Sequence, residues 1–311
     1  MSDGRDHRGR TGGRVKEPRS VVIAGAGLAA ARCAETLRSL GFDGRIVLIG
    51  DEPVPPYERP ALSKEFLLGK RSAKELLLRP NDFWEEQRIE LLLGRSVVAV
   101  DAELVLTSSG DVIDCDACVV ATGARPRSFP WAVAPGVHTL RTLADARFLK
   151  AELLPGRRIA LIGGGFIGAE VASTATALGV DVVMLEASAS PLERVFGPTV
   201  SRLLAERYRA HGVDLRTETS AAGLLSRDGR LRGIALTNGT SVDCDTALVA
   251  IGVEPVRDLL NGTPLMRACG DAKSGAGHWT AAASDAVEIA HELLGLDAPA
   301  RQPPFFWSDQ V

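Results

Sequence analysis

The stretch Arg158-Ile-Ala-Leu-Ile-Gly-Gly-Gly-Phe-Ile-Gly168 decides the fold of this chain of 311 residues. Its first five residues have the length and the apolar character of a buried parallel strand. Gly163 then allows a tight turn, Gly165 allows a ligand to approach the backbone, and Gly168 allows close packing of the next helix on the strand. The N–H groups at the start of that helix can face phosphates.

The residues after this turn complete a strand–helix–strand unit. Gly179 predicts the end of the helix, and the apolar run from Val180 to Leu185 predicts the second strand. Glu186 follows that strand, where a carboxylate can accept both hydroxyls of an adenosine ribose. A glycine-rich turn alone can be purely structural, but the complete unit favours dinucleotide binding.

Composition limits the classes of function that need to be considered. With 45% hydrophobic and 24% charged residues, the chain is globular and long enough for two domains. A net charge of −3 provides no basic field for nucleic acid or an anionic membrane. No apolar run approaches the roughly 20 residues of a membrane span. We therefore expect neither nucleic acid nor a membrane as a partner.

The N-terminus, Met1 to Arg19, is polar and lacks the apolar segment of a secretory signal. We expect a disordered tail on a cytoplasmic protein. A nucleic-acid-binding arm is the alternative, but acids among the arginines and the absence of aromatic residues favour a solvated tail. The odd number of cysteines, five, is typical of reduced thiols.

Cys115 and Cys118 form a Cys-x-x-Cys motif that could suggest dithiol chemistry. We predict a strand from Ile113 to Ala121, in which residues three apart point to opposite faces and lie about 10 Å apart. That separation exceeds the reach of a disulfide. Packing roles are therefore favoured over a redox pair.

A second unit of the same kind opens the chain. Val21 to Ala24 is a predicted strand, and Gly25, Gly27 and Ala30 form the turn that follows it. Ala30 stands where the third glycine would be, and alanine is still small enough for close helix packing.

The remainder of this first unit follows the same order. Leu28 to Leu40 is a predicted helix stopped by Gly41, and Arg45 to Ile49 is the next predicted strand. Asp51 and Glu52 come after it, and one of these two acids should bind a ribose.

A second internal match supports a duplication. Asp114 to Gly123 aligns with Asp243 to Gly252, and each follows its own turn at a comparable distance. Hairpins are predicted at 108–111 and 227–230. The fold class is therefore α/β, with two Rossmann-like dinucleotide-binding domains.

Two adjacent dinucleotide sites in one chain resemble the two-dinucleotide-binding flavoprotein reductases. Ala121-Thr-Gly123, Gly252 and Ala268-Cys-Gly-Asp271 are similar to motifs of that family. The resemblance implies FAD in the first site, a nicotinamide dinucleotide in the second, and Asp271 on the ribityl chain of FAD.

Narrower motifs resemble one branch, the NADH-dependent ferredoxin or rubredoxin reductases of oxygenase systems. These motifs are Pro56 to Lys64, Leu140-Arg-Thr142, His278-Trp279 and Phe306 to Gln310. The resemblance implies that hydride passes from NADH to FAD and that single electrons then pass to a ferredoxin-type protein.

The same resemblance assigns candidate site residues. Lys64 and Glu170 would form an ion pair beside the flavin N5, although Lys64 and Arg59 could instead be solvated surface charges. The implied FAD-binding residues are Gly25, Gly27, Ala29, Ala30, Asp51, Arg59, Lys64, Val97, Arg141, Asp271 and Trp279. The implied NADH-binding residues are Gly163, Gly165, Gly168, Glu186 and Gly252.

The domain organisation follows from these motifs. We expect a tail at 1–19, an FAD domain at 20–142 and 256–300, an NAD domain at 143–255, and at 301–311 the beginning of a truncated C-terminal interface domain. A partner chain or a homo-oligomer could cover that end.

Two other functions stay open at this point. One is an NADH oxidase or diaphorase, and the other is a truncated, weakly active remnant that binds nucleotides. Residues 50–70 contain no cysteine, which argues against a thiol relay and leaves flavin as the redox centre. Ala281 and Asp285 stand where the related reductases commonly carry Asn and Gln.

Overall fold

The computed structural model describes residues 18–101, 103–260, 262–263, 266–275, 278–301, 303 and 308. Most of the predicted tail, residues 1–17, and most of the predicted C-terminal segment lie outside these residues. In chain order the elements are β1 (Ser20–Ala24), α1 (Leu28–Ser39), β2 (Arg45–Gly50), α2 (Asn81–Glu86), β3 (Ile89–Leu93), β4 (Val97–Asp101), β5 (Leu104–Thr107), β6 (Val112–Asp114), β7 (Ala117–Val120), β8 (Ala124–Pro126), β9 (Val137–His138), α3 (Leu143–Glu152), β10 (Arg158–Ile162), α4 (Phe166–Ala177), β11 (Asp181–Leu185), α5 (Glu193–Ala210), β12 (Asp214–Arg216), β13 (Ala221–Arg227), β14 (Arg230–Leu236), β15 (Ser241–Asp243), β16 (Thr246–Val249), β17 (Val253–Pro255), β18 (Met266–Ala268), α6 (Asp271–Ser274) and α7 (Trp279–Leu293).

Two parallel sheets form the centres of the two predicted units. The first has the strand order β18-β7-β1-β2-β3, and the second has the order β12-β11-β10-β16-β9. The strand before each glycine turn is central: β1 lies between β2 and β7, and β10 lies between β11 and β16. β7 and β16 belong to the matching stretches 114–123 and 243–252. The two Rossmann-like units predicted from the sequence are confirmed.

Alternation along the strands divides the core into layers. Val21 and Ile23 of β1 pack with α1 and α7 on one face, whereas Val22 and Ala24 pack with β5 and β6 on the other. The second sheet is covered in the same way by α4 and α5 on one face and by β14 and β15 on the other. This is the alternation that a period of two residues produces in a strand buried on both faces.

Short antiparallel meanders form the outer layers. β4, β5 and β6 form one of them, and β13, β14 and β15 form the other. The two predicted hairpins join β5 to β6 and β13 to β14, so both predictions are confirmed.

The two units are joined by a pair of connecting strands. β8 follows the first repeat and β17 follows the second, and they pair antiparallel with Val253 opposite Pro126. Thr122 Oγ1 donates to the carbonyl of Val256 at 2.7 Å, and Val256 N–H donates to the carbonyl of Gly123 at 2.9 Å. The ends of the two repeats therefore meet. The boundary at residue 142 remains a prediction, and β9 already pairs with β16 of the second sheet.

The predicted single strand from Ile113 to Ala121 is wrong. The chain forms β6 and β7 in different sheets, and Cys115 lies between them. At the break the backbone passes from one sheet to the other: Cys115 N–H donates to the carbonyl of Glu103, and Asp116 N–H donates to the carbonyl of Ser20. The Asp116 carboxylate fixes this crossing by accepting hydrogen bonds from Arg19 N–H at 2.8 Å and Ser20 N–H at 2.9 Å. Cys115 and Cys118 are both buried in the core, as expected for packing residues.

The same carboxylate contact recurs in the second unit. Asp245 Oδ2 accepts from Arg158 N–H at 2.9 Å, and Arg158 is the first residue of β10 just as Ser20 is the first residue of β1. Backbone N–H groups of Asp116 and Asp245 return hydrogen bonds to the carbonyls of Ser20 and Arg158. Each repeat therefore fixes the start of the central strand of its own sheet.

Across the described residues, the helices are each too short or too polar to cross a membrane.

Asp116→Asn should lower the free energy of unfolding by about 1 kcal/mol at neutral pH. This value is at the low end for hydrogen bonds to a charged group, because the carboxylate is half exposed and water screens it. Hydrogen bonds from Arg19 and Ser20 hold the pKa of Asp116 below its usual value. Its contribution is therefore present above the unfolded pKa of about 4 and lost as pH falls through the lower folded value.

Thermal melts of the two proteins between neutral and acidic pH test this linkage. Asp114→Asn, a change at an exposed neighbouring carboxylate, serves as the control. A stability difference between wild type and Asp116→Asn that stayed constant down to the lowest pH would contradict the assignment.

Candidate functional site

The first glycine turn combines a tightly packed position with an open one. Gly25 has φ +128°, and a Cβ there would lie 2.2 Å from the carbonyl oxygen of Ala121. Gly27 is the N-cap of α1, and a Cβ there would meet no described atom within 4 Å. Ala29 and Ala30 are buried against the core. The turn is closed toward the sheet and open over the start of the helix, where a phosphate would bind.

The second turn has the same construction. A Cβ on Gly163, at φ +109°, would lie 2.5 Å from the carbonyl oxygen of Ala250. A Cβ on Gly165, the N-cap of α4, would have the oxygen of Ala250 at 4.0 Å as its nearest described neighbour. A Cβ on Gly168 would lie 2.1 Å from the oxygen of Gly163, so close helix packing requires glycine here. All three roles predicted for these glycines fit this geometry.

The structure distinguishes the two acids after β2. Glu52 is occupied within the protein: it accepts from Tyr57 Oη at 2.7 Å and pairs with Arg59 at 2.8 Å. Asp51 is exposed, and its Oδ1 accepts from the N–H of Glu52. A ribose at this position would therefore meet Asp51, as the resemblance implied.

Glu186 is held in place by backbone donors. Its Oε2 accepts from Gly164 N–H at 2.8 Å, and its Oε1 accepts from Ser188 N–H at 2.7 Å. These bonds orient the carboxylate at the end of β11, beside the second glycine turn. The ribose hydroxyls of a dinucleotide on Gly165 would find an acceptor there.

A chain of charged groups links the loops of the first site. Arg59 donates to the carbonyl of Arg141 at 2.6 Å, and Arg141 pairs with Asp271 at 3.1 Å. Burial, with the nearby Arg59, lowers the pKa of Arg141. A Cβ on Gly123 would lie 3.2 Å from Arg141 Nη2, so the end of β7 belongs to the same cluster. Arg59 is thus an internal bridge, not the solvated charge considered above.

The remaining predicted residues of the first site lie on separate elements. Val97 begins β4 and is half-buried against the core. Trp279 begins α7, half-buried, with its ring 6.0 Å from that of His278. The His278 side chain caps α7 by accepting from Thr280 N–H, and burial lowers the pKa of His278. Gly252, with φ +103°, ends the second repeat.

The predicted ion pair joins the two units. Lys64 Nζ lies 3.5 Å from Glu170 Oε1, and only 11% and 8% of their side-chain surfaces are exposed. Lys64 follows the 3-10 turn Pro60–Ser63, and Glu170 lies in the second turn of α4. The contact between these residues is confirmed, whereas its position relative to a flavin stays a prediction.

Hydroxyl groups around Glu170 were missed by sequence reasoning. Ser63 Oγ donates to Oε2 at 2.5 Å, and Ser308 Oγ donates to Oε1 at 2.8 Å. Thr174, one turn further along α4, donates to the carbonyl of Ser63 at 2.8 Å. Ser63 and Ser308 lie inside two of the quoted motifs, which was the available signal. Burial and the charge of Glu170 raise the pKa of Tyr208, nearby on α5, to about 12.

The cysteines are all buried thiols. Burial raises the pKa of Cys115 to about 11 and that of Cys118, Cys244 and Cys269 to about 12, and it raises the pKa of Cys33 well above the usual value. Thiols of this kind are poor nucleophiles at neutral pH. The site therefore offers charged side chains and open helix starts but no reactive thiolate.

The two sites fit two dinucleotides. Each has an open helix start and a carboxylate at the end of the following strand, at the carboxyl ends of parallel strands where such folds bind ligands. The first site adds the Arg141–Asp271 pair, and the Lys64–Glu170 pair connects it to α4.

Comparison with known proteins agrees with this geometry. Residues 19–277 match the model of the pyridine nucleotide-disulphide oxidoreductase family. The chain belongs to this family. It is therefore an oxidoreductase, and the resemblance drawn from its motifs is confirmed.

Relatives within the family narrow the class. The chain is 39% identical to the ferredoxin–NAD(+) reductase component of a p-cumate 2,3-dioxygenase system from Pseudomonas putida, over 93% of this chain and 78% of the relative. It is 35% identical to rhodocoxin reductase of Rhodococcus erythropolis, over 94% of this chain and 76% of the relative. A crystal structure of putidaredoxin reductase in covalent complex with putidaredoxin superposes with a TM-score of 0.89 at 34% identity, covering 94% of this chain and 79% of that one.

Alanine at the two open glycines should block ligands without harming the fold. Gly27→Ala should reduce binding at the first site, expected to hold FAD, and Gly165→Ala should weaken NADH binding by about tenfold or more, or about 1.4 kcal/mol. Both side chains would project into the ligand space and not into the protein.

Flavin content, NADH titration and thermal melts measure the outcome. Gly223→Ala, at an open position in β13, is the matched control. Each variant should lose one ligand and retain the other, and a Gly165→Ala protein that binds NADH normally would refute the placement.

Proposed function

We propose that this protein transfers hydride from NADH to bound FAD and passes electrons singly to a ferredoxin-type iron–sulfur protein. The observation that carries the proposal is the buried Lys64–Glu170 pair between two dinucleotide sites. It is supported by the similarity to the ferredoxin–NAD(+) reductase component of the p-cumate 2,3-dioxygenase system. FAD, when bound, can accept two electrons together and release them one at a time.

The residues of this chain have distinct roles in that reaction. The α1 start at Gly27 would bind the FAD pyrophosphate, Asp51 its ribose, and the Arg141–Asp271 pair its ribityl region. Gly165 and Glu186 would hold NADH. The ammonium of Lys64 would offset the negative charge that arrives with the hydride, and Glu170 would keep this ammonium in place.

The buried cysteines bear on the alternative functions. A thiol relay needs a low-pKa, accessible cysteine, whereas every cysteine here is buried with a raised pKa. Electrons therefore leave the flavin for an external acceptor. A cytoplasmic location, which suits reduced thiols, is part of this proposal.

Steady-state turnover rates with ferredoxin and with oxygen as the electron acceptor test which acceptor the protein uses. The proposal expects cytochrome c reduction through an added ferredoxin to exceed oxygen consumption under the same conditions. An oxygen rate equal to the ferredoxin rate would favour an NADH oxidase instead.

Lys64→Met should slow the reduction of the flavin by NADH by about a hundredfold while FAD stays bound, since one charge aimed at the reacting centre is lost. Stopped-flow absorbance measures the rate constant, and the flavin spectrum reports binding. Lys70→Met, at an exposed lysine on the same segment, should leave both unchanged. An unaltered rate in Lys64→Met would remove this residue from the mechanism.

NADH should be preferred over NADPH. The carboxylate of Glu186 cannot swing away from a 2′-phosphate, because two backbone N–H groups hold it. Residues 187–190 contain no arginine to neutralise that phosphate. Glu186→Gln should therefore raise the NADPH to NADH ratio of kcat/KM by about tenfold, equivalent to about 1.4 kcal/mol.

Glu193→Gln makes the same change of charge nearby and should leave the ratio unchanged. Equal use of both coenzymes by the wild-type protein would show that Glu186 does not select between them.

A further inference from the structure

Glu170 is held by more groups than its ion pair requires. The Lys64 Nζ to Glu170 Oε1 distance of 3.5 Å is longer than the roughly 2.7–2.9 Å of a direct charge-assisted hydrogen bond. The hydroxyls of Ser63 and Ser308 lie much closer, at 2.5 Å and 2.8 Å, on different oxygens of the carboxylate. The ion pair alone therefore does not set the orientation of Glu170.

We infer that Ser63 and Ser308 are positioning residues, whose hydroxyls together fix the Glu170 carboxylate so that Lys64 is held for hydride transfer. This inference rests on the proposed function. Ser63 comes from the first unit and Ser308 from the far end of the chain, so residues from two distant parts of the sequence converge on the carboxylate of Glu170.

The burial of these groups makes the arrangement restrictive. Ser63 is 2% exposed and Glu170 is 7% exposed. A buried carboxylate needs donors for its oxygens, and losing one leaves part of its charge unsolvated. Without a hydroxyl, Glu170 would turn toward another donor, and Lys64 would lose its partner at a defined place.

Ser308 shares one oxygen with Lys64. Both Ser308 Oγ and Lys64 Nζ approach Glu170 Oε1. Ser308 therefore contributes directly to the surroundings of the ion pair. Removal of this hydroxyl should affect the chemical step more than the binding of NADH, because its hydrogen bond goes to Glu170 Oε1, the oxygen that also faces Lys64.

Thr174 allows the attachment of the Pro60–Ser63 turn to α4 to be tested separately from the positioning of the Glu170 carboxylate. Its hydroxyl holds the backbone of Ser63 and does not donate to Glu170. Thr174→Val, a change of nearly equal shape, should loosen the Pro60–Ser63 turn while leaving both donors of the carboxylate intact. Thr176→Val removes a hydroxyl that bonds only within α4, to Ala172, and is the control for the helix itself.

Single-turnover reduction by NADH gives the first measurement. Ser63→Ala and Ser308→Ala should each lower the rate constant by about tenfold, the loss expected for a hydrogen bond to a charged group, with the dissociation constant of NADH unchanged. Thr174→Val should change the rate less than about twofold, and Ser308→Thr, which keeps the hydroxyl, should restore most of it.

A double-mutant cycle gives the second. If the serines act through Glu170 on Lys64, their effect should disappear in a Lys64→Met background. The same tenfold loss in both backgrounds, or a Thr174→Val protein as slow as Ser63→Ala, would overturn the inference in favour of a purely structural role.

Amide hydrogen exchange of the full chain supplies a readout that is independent of activity. Ser63→Ala and Thr174→Val should both speed exchange at Leu62, Lys64 and Phe66, and Thr176→Val should not. If NADH fails to reduce the wild-type protein, the proposed function fails. Unchanged exchange in Ser63→Ala would separately overturn the inference, because the Ser63 hydroxyl would then not be fixing this turn to Glu170.

Discussion

A buried carboxylate between two nucleotide-binding units is the constraint on which the structure depends. Glu170 lies on α4 of the second unit but takes its donors from the first unit and from the far end of the chain. Charge in a protein interior is costly unless it is paired and hydrogen-bonded. Docking of the units in this arrangement supplies the donors that this charge needs.

Apolar packing supports the same docking. Tyr57, Leu62 and Phe66, from the segment that contains Lys64, belong to one cluster with α3, α4 and α5 of the second unit. The first unit thus contributes to the core of its neighbour. The polar contact sets the geometry, while the buried apolar surface supplies most of the stabilisation.

Much of the fold was predictable because the chain repeats itself. Strand, glycine turn, helix and acid occur twice in order, and local patterns of this kind determine local structure. The break between β6 and β7 was not predictable from hydrophobicity, since it depends on Asp116 reaching residues almost a hundred positions earlier in the sequence. The pairing of β8 with β17 escaped for the same reason: both strands are short, and their partner is distant.

In the candidate site, too, the residues that follow a local sequence pattern were predictable and those that depend on distant contacts were not. Glycines and acids at strand ends could be assigned because their roles follow from position in a repeated unit. Ser63 and Ser308 could not, because a serine has no pattern of its own and the significance of its hydroxyl depends on a carboxylate elsewhere. Position alone left Asp51 and Glu52 equivalent; the family resemblance pointed to Asp51, and the contacts of Glu52 with Tyr57 and Arg59 support that choice.

The helix α4 has a consequence for how such domains can be exchanged between proteins. It starts at the second glycine turn, and Glu170 and Thr174 lie one turn apart on the side that faces Ser63. Insertion of one residue before Glu170 would rotate both side chains by about 100° and leave the turn itself intact. A transplanted second unit could then still bind its nucleotide, but Glu170 and Thr174 would no longer face Ser63 of the recipient's first unit. The two units can therefore be exchanged independently only if the first three turns of α4 keep their register.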